Sequence, residues 1–547
     1  MFAEKYLFEA STVKEQMQRI ARVFASYCDE TVKPDFWEQD VFTAGKTWYQ
    51  VFFDMMWAGH YIPSTPQMSN TGTSRGCTVS CSGGWVKDSV VGFYDAYREA
   101  AVLTKQGFGT SYYLGGITPA GTPLPEGGKA GGVLPVLKGM IAVMEDITQT
   151  NRRGSVACSL EVTHKDFDLV ADYVMLNPDG ANIGWLITDK FMRKLARGEK
   201  EAIRKWNKML YIKMRSGRGY FTFIDKMNRH LAEPFKKAGL KVYASNLCQE
   251  IVLPANEEYS FSCVLSSLNL AKYREWSPNL EFLATVMLDC SIDDFLEQAT
   301  GKAGMEKVVK FTRDFRALGI GTLGIHTLFQ QEEIVVGSIT SYQLNRKIFQ
   351  RLDEQSKLAT QWLAATRGEP VGCKGFGWRN ATRIAQAPNK SSAVYGGGVS
   401  EGTGLNSALV YTQQTAAGEV FRVNAKLLSI MKEQGIYDDE HIREVNDAKG
   451  SVQKVSWLTQ HQKDFLRTGF EVRVEDVLQL ASDRQPYIDQ GQSINLNLTE
   501  NDSGETIGAL HKLAAEDENI LTLYYIISMR DAGDIGKNRG ECETCAN

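Results

Sequence analysis

No long apolar stretch occurs in this sequence of 547 residues. No segment approaches the ~18 apolar residues of a membrane-spanning helix. The first residues, MFAEKYLFEAST, carry Glu4 and Glu9 in place of the apolar core of a signal peptide. We therefore expect a cytoplasmic protein that does not act at a membrane.

An excess of either charge is also absent. The 61 Lys and Arg residues nearly balance the 65 Asp and Glu residues, and the formal net charge is -4. Without a basic field, nucleic acid is not an expected partner. Hydrophobic residues make up 43% of the chain, so a large core is available. A soft prior of ~150 residues per domain suggests three or four units, although a barrel can run longer as one domain.

Cysteine is too sparse, at ten residues, to build a disulfide scaffold. Cys77 and Cys81 lie four positions apart, but no further ligands complete a tetrahedral zinc site around them. A structural metal site in a nucleotide-binding protein would need a second close ligand pair. The one Cys-x-x-Cys, at Cys542 and Cys545, lies in a polar, glycine-rich segment expected to be a mobile tail. We therefore expect no metal site in this chain.

The most informative short segment is Asn246-Leu247-Cys248-Gln249-Glu250. Alternate residues of an extended segment point the same way, which predicts that an amide, a thiol and a carboxylate share one face. A thiol can act as a nucleophile or carry a sulfur radical, and a carboxylate can accept a proton. The alternative is an ordinary strand with a buried cysteine, because cysteine is among the most buried residue types.

Two polar segments are candidate phosphate or base contacts. Residues 107–132 contain nine glycines without the Walker or dinucleotide spacing, and Arg152 and Arg153 follow in a predicted loop. Residues 387–398 combine hydroxyls, a lysine and a glycine run, which suits a phosphate cradle.

Helical and strand-like patterns alternate over most of the chain, which predicts α/β construction. The first 60 or so residues have mainly helical periodicity. Residues 316–328 are typical of a strand followed by a helix, with His326 in the core, and residues 521–529 of a buried strand. Further helices are predicted over 12–28, 89–106, 344–367 and 424–434.

Together these motifs resemble the catalytic large subunit of class I ribonucleotide reductase. The resemblance is carried, in order, by NLCQE (246–250), SCVLSSLNL (262–270), RALGIGTLG (316–324), YIDQGQSINL (487–496), the pair Tyr524-Tyr525 and the tail cysteines. It runs from about residue 10 to the end of the chain. NLCQE and YIDQGQSINL are the specific motifs.

The resemblance implies a ten-stranded α/β barrel made of two parallel five-stranded half-sheets that run antiparallel to each other, with a central finger loop. The expected domains are a helical region (1–60), the barrel (61–530) and a redox tail (531–547).

The resemblance also implies catalytic roles. Cys248 would become a thiyl radical and take the 3′ hydrogen of the ribose, Glu250 would accept the 3′-hydroxyl proton, and Asn246 would hold the sugar hydroxyls. Cys77 and Cys263 would reduce the 2′ carbon and end as a disulfide. The Cys542–Cys545 pair would re-reduce it, using thioredoxin or glutaredoxin as electron donor.

Nucleotide contacts follow from the same resemblance. The substrate is expected to be a ribonucleoside diphosphate, although the sequence leaves a triphosphate open. A deoxynucleotide or ATP effector would bind at a specificity site near a homodimer interface, where residues 127–132 and 148–155 contribute. The expected substrate contacts are Thr65, Gly76, Asn389, Lys390, Ser391 and Ser392, and the expected effector contacts are Asp88, Ser89, Arg152 and Arg153.

This sequence departs in two ways from the pattern of class I ribonucleotide reductases. The regulatory ATP cone that often begins such chains is expected to be missing. The glycine and arginine loops and STPQMSNTG (64–72) also resemble the adenosylcobalamin-dependent class II enzymes, which remain the alternative. The Tyr524-Tyr525 pair favours class I, in which a ferritin-like small subunit holds the radical cofactor, and none is covalently bound in this chain. A catalytically dead regulatory subunit is disfavoured because Asn246, Cys248 and Glu250 occur with the other cysteines.

Overall fold

The structure is a computed structural model that describes residues 6–149, 152–177, 180, 182–415, 418–499 and 501–528. The predicted tail pair, Cys542 and Cys545, lies outside the described residues. Among the helices of the described part, none has both the length and the apolar character needed to cross a membrane.

The helices alternate with strands over most of the chain, as the sequence predicts. In chain order they are α1 (Val13–Ala25), α2 (Trp48–Trp57), α3 (Thr65–Asn70), α4 (Val90–Lys105), α5 (Val133–Asp146), α6 (Phe167–Leu176), α7 (Asp189–Ala196), α8 (Lys200–Ser216), α9 (Ile224–His230), α10 (Glu233–Lys237), α11 (Leu280–Ala299), α12 (Glu306–Phe315), α13 (Ile325–Gln331), α14 (Ile339–Arg367), α15 (Lys390–Tyr395), α16 (Ala425–Glu433), α17 (Asp439–Asp447), α18 (Gln460–Phe465), α19 (Val474–Arg484) and α20 (Gly504–Glu516).

The strands are short, and most belong to one sheet. They are β1 (Tyr61–Pro63), β2 (Cys81–Trp85), β3 (Gly109–Tyr113), β4 (Thr148–Gln149), β5 (Arg152–Arg153), β6 (Val156–Glu161), β7 (Asn182–Ile187), β8 (Tyr220–Phe223), β9 (Phe261–Asn269), β10 (Leu318–Leu323), β11 (Val410–Thr415), β12 (Gly418–Val423), β13 (Leu496–Leu498), β14 (Thr522–Leu523) and β15 (Ile526–Ser528).

The N-terminal helices form on local signals. The Thr12 hydroxyl accepts a hydrogen bond from the Glu15 N–H at 3.2 Å, which satisfies a free donor at the start of α1. Ile20 and Phe24 on one face of α1 are buried, as the helical spacing predicts. This region packs in the same core as the central helix α11.

One half of the barrel is a sheet of parallel strands in the order β2-β3-β6-β7-β8. Helices connect most of these strands, as parallel pairing requires. Their alternate side chains fill a core that includes Trp185 and Phe221. The sheet edge formed by β2 lies next to the second half.

The second half is also parallel but less regular. Strand β10 pairs with β9, and single bridges then join Ile320 to Ile384 and Gln386 to Gln492. Strand β13 continues this order by pairing in parallel with β15, with Leu496–Leu498 opposite Ile526–Ser528.

Antiparallel contacts close the barrel at both junctions. Strand β2 pairs with β9, and β14 pairs with β8. Each half thus contributes five parallel strands or extended segments, and the predicted ten-stranded barrel is confirmed. In the second half, three of these five are short strands or extended segments that single bridges join to their neighbours.

Two local expectations differ in detail. The segment expected as one strand over 521–529 forms two strands within residues 521–528, with Tyr524 and Tyr525 in the break between β14 and β15. Residues 148–149 and 152–153, expected as a loop, form the paired strands β4 and β5. The strand-to-helix pattern around His326 is confirmed by β10 and α13.

Candidate active site

The segment Asn246–Glu250 lies between α10 and β9, inside the barrel, and it is not extended. Gln249 has a φ of 68°, and its N–H donates to the Asn246 carbonyl at 3.2 Å, which makes a tight turn. The expectation of one strand face is therefore wrong. The turn, and not the alternation of an extended chain, brings the three reactive residues to the centre of the barrel, where all are buried.

Side chains from both halves hold this turn. The Thr222 hydroxyl donates to the Gln249 side-chain oxygen at 2.6 Å, and the Thr522 hydroxyl donates to the Gln249 carbonyl at 3.0 Å. The Ser493 hydroxyl contacts the Cys248 carbonyl at 2.6 Å and Glu250 Oε2 at 3.0 Å. A buried loop needs such partners for its polar groups, so Ser493 fixes the backbone of Cys248 and the carboxylate of Glu250 relative to each other.

Glu250 has the electrostatics of a proton acceptor. Burial raises its pKa to about 7, while hydrogen bonds from Asn246 and Ser493 favour the ionised form. Its second oxygen, Oε1, is buried and has no hydrogen-bond partner among the described residues. A carboxylate with such a pKa and a free acceptor can take a proton from a bound hydroxyl near neutral pH.

The cysteine opposite Cys263 is Cys81, not Cys77. Cys81 and Cys263 are directly paired residues on the antiparallel strands β2 and β9. The Asn246 amide lies 3.5 Å from the Cys81 sulfur, and the Gln490 amide lies 3.3 Å from the Cys263 sulfur. Burial raises the pKa of both thiols, and the nearby Glu250 carboxylate adds to the effect. Both cysteines therefore lie beside the catalytic loop.

Cys77 occupies a different environment from Cys263, which favours Cys81 over the predicted Cys77 as the partner of Cys263. Its N–H donates to the Gln106 carbonyl at 3.0 Å, and its carbonyl accepts from the Asn70 amide at 2.8 Å. It packs in the core of the helical region, whereas Cys81 and Cys263 share another core. Burial raises the pKa of the Cys77 thiol to about 11. These contacts suit a structural residue.

A group of tyrosines packs against Cys248. Tyr524 shares a buried cluster with Cys248, and the Tyr524 and Tyr525 ring centroids lie 4.0 Å apart. Tyr220 contacts both rings, with centroids at 4.9 Å and 5.6 Å, and its hydroxyl lies 3.3 Å from that of Tyr525. Tyr524 is buried and Tyr525 is only partly buried. The three tyrosine rings thus form a continuous group that runs from Cys248 to the partly buried Tyr525.

Two segments predicted to contact substrate are brought together. The Tyr395 hydroxyl donates to the Pro63 carbonyl, just before Thr65, and lies 3.2 Å from the Ser392 hydroxyl. The hydroxyls of Ser64 and Thr65 are buried without a hydrogen-bond partner among the described residues. Unpartnered buried hydroxyls are costly unless a ligand meets them, which fits a phosphate or sugar site here.

Other predicted substrate residues have clear backbone roles. Asn389 adopts a φ of 58°, and its amide donates to the carbonyls of Thr322 and Ala387 at 3.2 and 3.1 Å. It thereby orients the start of α15, where Lys390 and Ser391 lie. Gly76 lies close to the Gln106 carbonyl, 2.7 Å from where a Cβ would stand, so a side chain does not fit there.

The predicted effector residues belong to segments that flank strands of the first half-sheet. The Thr118 N–H donates to the Asp88 carboxylate at 3.0 Å, which ties residue 88 to the glycine-rich segment. The Ser89 hydroxyl caps α4 by accepting from the Gly92 N–H at 3.0 Å. Arg152 and Arg153 form strand β5. Asp88 is thus joined to the glycine-rich segment through Thr118, nine residues before residue 127. Ser89 instead caps a helix.

Sequence reasoning missed four residues of this site: Cys81, Tyr220, Gln490 and Ser493. Gln490 and Ser493 lie within the motif YIDQGQSINL, which indicates the family but not their individual roles. The spacing of Cys81 from Cys77 suggests only a metal ligand. Tyr220 carried no local signal beyond a strand-like apolar pattern.

This fold and site define a barrel enzyme with a central thiol, an adjacent carboxylate and a facing dithiol. The chain matches the family model "Ribonucleotide reductase, barrel domain" over residues 79–205, 197–376 and 370–526, and the model "Ribonucleotide reductase, all-alpha domain" over residues 1–76. The chain belongs to the ribonucleotide reductase large-subunit family, and it is an oxidoreductase of that family.

Individual relatives agree with this assignment. A putative ribonucleoside-diphosphate reductase large subunit of Frog virus 3 is 30% identical over 496 residues, which cover 86% of this chain and 85% of the relative. The solved class Id ribonucleotide reductase alpha subunit of Actinobacillus ureae has a TM-score of 0.87 at 30% identity, covering 96% of this chain and 95% of that one. A vitamin B12-dependent ribonucleoside-diphosphate reductase of Thermoplasma acidophilum is 25% identical over 501 residues, covering 85% of this chain and 63% of the relative.

Proposed function

We propose that this chain is the catalytic subunit of a class I ribonucleotide reductase that converts ribonucleoside diphosphates to 2′-deoxyribonucleoside diphosphates. The observation that supports this most directly is the convergence of Cys248, Glu250, Cys81 and Cys263 inside the barrel, with the Tyr524-Tyr525 pair packed behind Cys248. The similarity to a class Id alpha subunit over nearly the whole chain favours class I.

The first part of the reaction uses the turn. Cys248, as a thiyl radical, takes the 3′ hydrogen of the ribose, and Glu250 accepts the proton of the 3′ hydroxyl. Oε1 of Glu250 is the oxygen available for this contact, because Oε2 is engaged by Ser493. Asn246 donates both toward the carboxylate and toward Cys81, so it is suited to align the sugar between them.

The second part uses the facing thiols. Cys81 and Cys263 supply two electrons and two protons, the 2′ hydroxyl leaves as water, and the two sulfurs end joined as a disulfide. Their direct pairing across β2 and β9 supports this assignment. Directly opposed residues of an antiparallel pair have the close Cβ atoms that a disulfide needs. Cys81 therefore replaces Cys77 in the proposed mechanism.

The diphosphate is proposed to bind where β1 meets α15. Asn389, Lys390, Ser391 and Ser392 lie at the start of this helix, and the unpartnered hydroxyls of Ser64 and Thr65 are close to it through the Tyr395–Pro63 contact. Lysine and hydroxyl donors suit phosphate oxygens. The effector is proposed to bind near Asp88 and the glycine-rich segment, at a homodimer interface to which residues 148–155 contribute.

The electron and radical partners are separate proteins in this proposal. A ferritin-like small subunit supplies the oxidising equivalent through Tyr525 and Tyr524 to Cys248. Thioredoxin or glutaredoxin reduces the Cys542–Cys545 pair, which then reduces the Cys81–Cys263 disulfide by thiol exchange.

Product formation with a class I small subunit tests the proposal. Wild-type chain with the small subunit and a dithiol should convert ribonucleoside diphosphates, and the isolated chain should not. Cys248→Ser cannot form the sulfur radical, so it should give no product while nucleotide binding persists. Product from Cys248→Ser would contradict the assignment, and activity of the isolated chain with adenosylcobalamin would place it in class II.

A further inference from the structure

Two cysteines outside the active site form a close pair. The sulfur of Cys28, just after α1, lies 3.5 Å from the sulfur of Cys290 in α11. These residues are 262 positions apart in sequence, so the contact joins the helical region to the barrel. Cys28 is partly exposed, whereas Cys290 is buried. Of the two residues, Cys28 is therefore the less buried.

A single guanidinium bridges the two sulfurs. Arg367, in the last turn of α14, places Nη2 3.2 Å from Cys28 and Nη1 3.5 Å from Cys290. Its own position is held by Asp289 and Asp293, at 3.6 and 3.7 Å. An arginine that points both donors at a pair of sulfurs stabilises negative charge there.

The two thiols differ in acidity. The hydrogen bond with Cys290, and then the charge of Arg367, hold the pKa of Cys28 below its ordinary value in spite of burial. Burial and the neighbouring Cys28 raise the pKa of Cys290 well above its ordinary value. The environment of Cys28 thus favours the thiolate that oxidants attack, whereas burial disfavours the thiolate of Cys290.

We propose that Cys28 and Cys290 form a peroxide-reactive modification site that closes a reversible disulfide between the helical region and the barrel. The Cys28 thiolate attacks a peroxide oxygen and the O–O bond breaks. This leaves Cys28 as a sulfenic acid and releases one water after proton uptake. The Cys290 thiol then attacks the Cys28 sulfur, the S–O bond breaks, and a second water leaves with the Cys290 proton.

The electron balance of this step is complete. The two thiols lose two electrons in forming the S–S bond, and hydrogen peroxide gains them to become two waters. A dithiol reductant reverses the bond by exchange. The sulfurs must approach from 3.5 Å to about 2 Å, and Cys28 lies in a turn beyond the end of α1, where a small shift is possible.

Peptide mapping of the full chain tests the proposal. After brief treatment with stoichiometric hydrogen peroxide, non-reducing digestion should yield a Cys28–Cys290 linked peptide that disappears with dithiothreitol. Mapping separates this product from oxidation of Cys81 and Cys263. If peroxide oxidises the other cysteines while the Cys28 and Cys290 peptides remain reduced, the proposal is wrong.

Variants separate the two thiols. Cys290→Ser should trap Cys28 as a sulfenic acid that dimedone labels, and Cys28→Ser should show neither label nor linked peptide at this site. Equal dimedone labelling of Cys290 in Cys28→Ser would overturn the assigned order. Wild-type mapping decides the existence of the site even if a variant fails to fold.

Substitution of Arg367 tests whether its guanidinium activates Cys28 toward oxidation. Arg367→Gln should slow Cys28 oxidation severalfold, because the guanidinium no longer stabilises negative charge at the Cys28 sulfur. Arg346→Gln is the control, because Arg346 lies in the same helix α14 but pairs with Asp483 at 3.1 Å, far along the helix from Arg367. Its oxidation rate should match wild type. Equal rates in all three proteins would show that the guanidinium does not activate Cys28.

Discussion

Cys81 and Cys263 lie directly opposite each other where the two halves of the barrel meet. This junction is antiparallel, and directly opposed residues there have close Cβ atoms. The same junction lies beside Asn246 and Glu250. In the proposed mechanism, this dithiol reduces a sugar held over the turn.

The cysteine pair gives the first prediction. Cys81→Ser should abolish dithiol-driven turnover, because no disulfide can form opposite Cys263. Cys77→Ser should retain turnover within severalfold of wild type, since Cys77 packs away from the site, and lose at most about 1–2 kcal/mol of stability through its core contacts. Single-turnover product yield and thiol titration measure both. Loss of activity in Cys77→Ser with full activity in Cys81→Ser would restore the original pairing.

Local patterns predicted much of the fold and several site residues. Helix α1 follows the Thr12 cap and an apolar face, and β10 followed by α13 shows the change from strand to helical spacing. Such elements depend on neighbours within a few residues. The family resemblance then supplied the barrel, which no local pattern contains.

The remaining differences have nonlocal causes. Which of Cys77 and Cys81 faces Cys263 depends on where β2 begins and on its register with β9, about 180 residues away along the chain. The turn at Asn246–Glu250 depends on the positive φ of Gln249, a residue type that does not favour it, held by Thr222 and Thr522 from distant strands. Only the folded barrel brings these partners together.

The acidity of Glu250 gives a pH prediction. As a proton acceptor it must be ionised, and its pKa is raised to about 7, so turnover should rise as pH increases through 7. Ser493→Ala removes a hydrogen bond that favours the ionised form, so the midpoint should move to higher pH and turnover at neutral pH should fall about tenfold. A pH–rate profile of the chemical step measures this.

Two controls define that result. Glu250→Gln should be inactive at every pH while retaining nucleotide affinity. A second serine, Ser429, is exposed, and its hydroxyl donates to Glu433 on its own helix, so Ser429→Ala should leave the profile unchanged. An unshifted midpoint in Ser493→Ala would contradict the proposed coupling between this hydroxyl and Glu250.

The tail cysteines give a prediction that depends on the reductant. Replacement of both Cys542 and Cys545 by serine should block turnover driven by thioredoxin or glutaredoxin, because the proposed shuttle to the Cys81–Cys263 disulfide is removed. A small dithiol that reaches that disulfide directly should still support product formation. Equal failure with both reductants would show that the tail pair does not serve as a shuttle.

The tyrosine group decides the radical path. Tyr524→Phe and Tyr525→Phe each keep the ring packing but remove the phenolic hydrogen, so fold and nucleotide binding should persist while turnover with a small subunit falls by at least about a thousandfold. Tyr220→Phe should lower turnover less, since Tyr220 contacts both rings from the side and its hydroxyl lies 3.3 Å from that of Tyr525.

Tyr273→Phe is the packing control, because Tyr273 is buried beside Trp276 in another core, and this variant should behave as wild type. Steady-state turnover and the radical signal in the assembled complex measure these effects. Full turnover in either Tyr524→Phe or Tyr525→Phe, together with rescue of the isolated chain by adenosylcobalamin, would replace the class I path with a class II reaction.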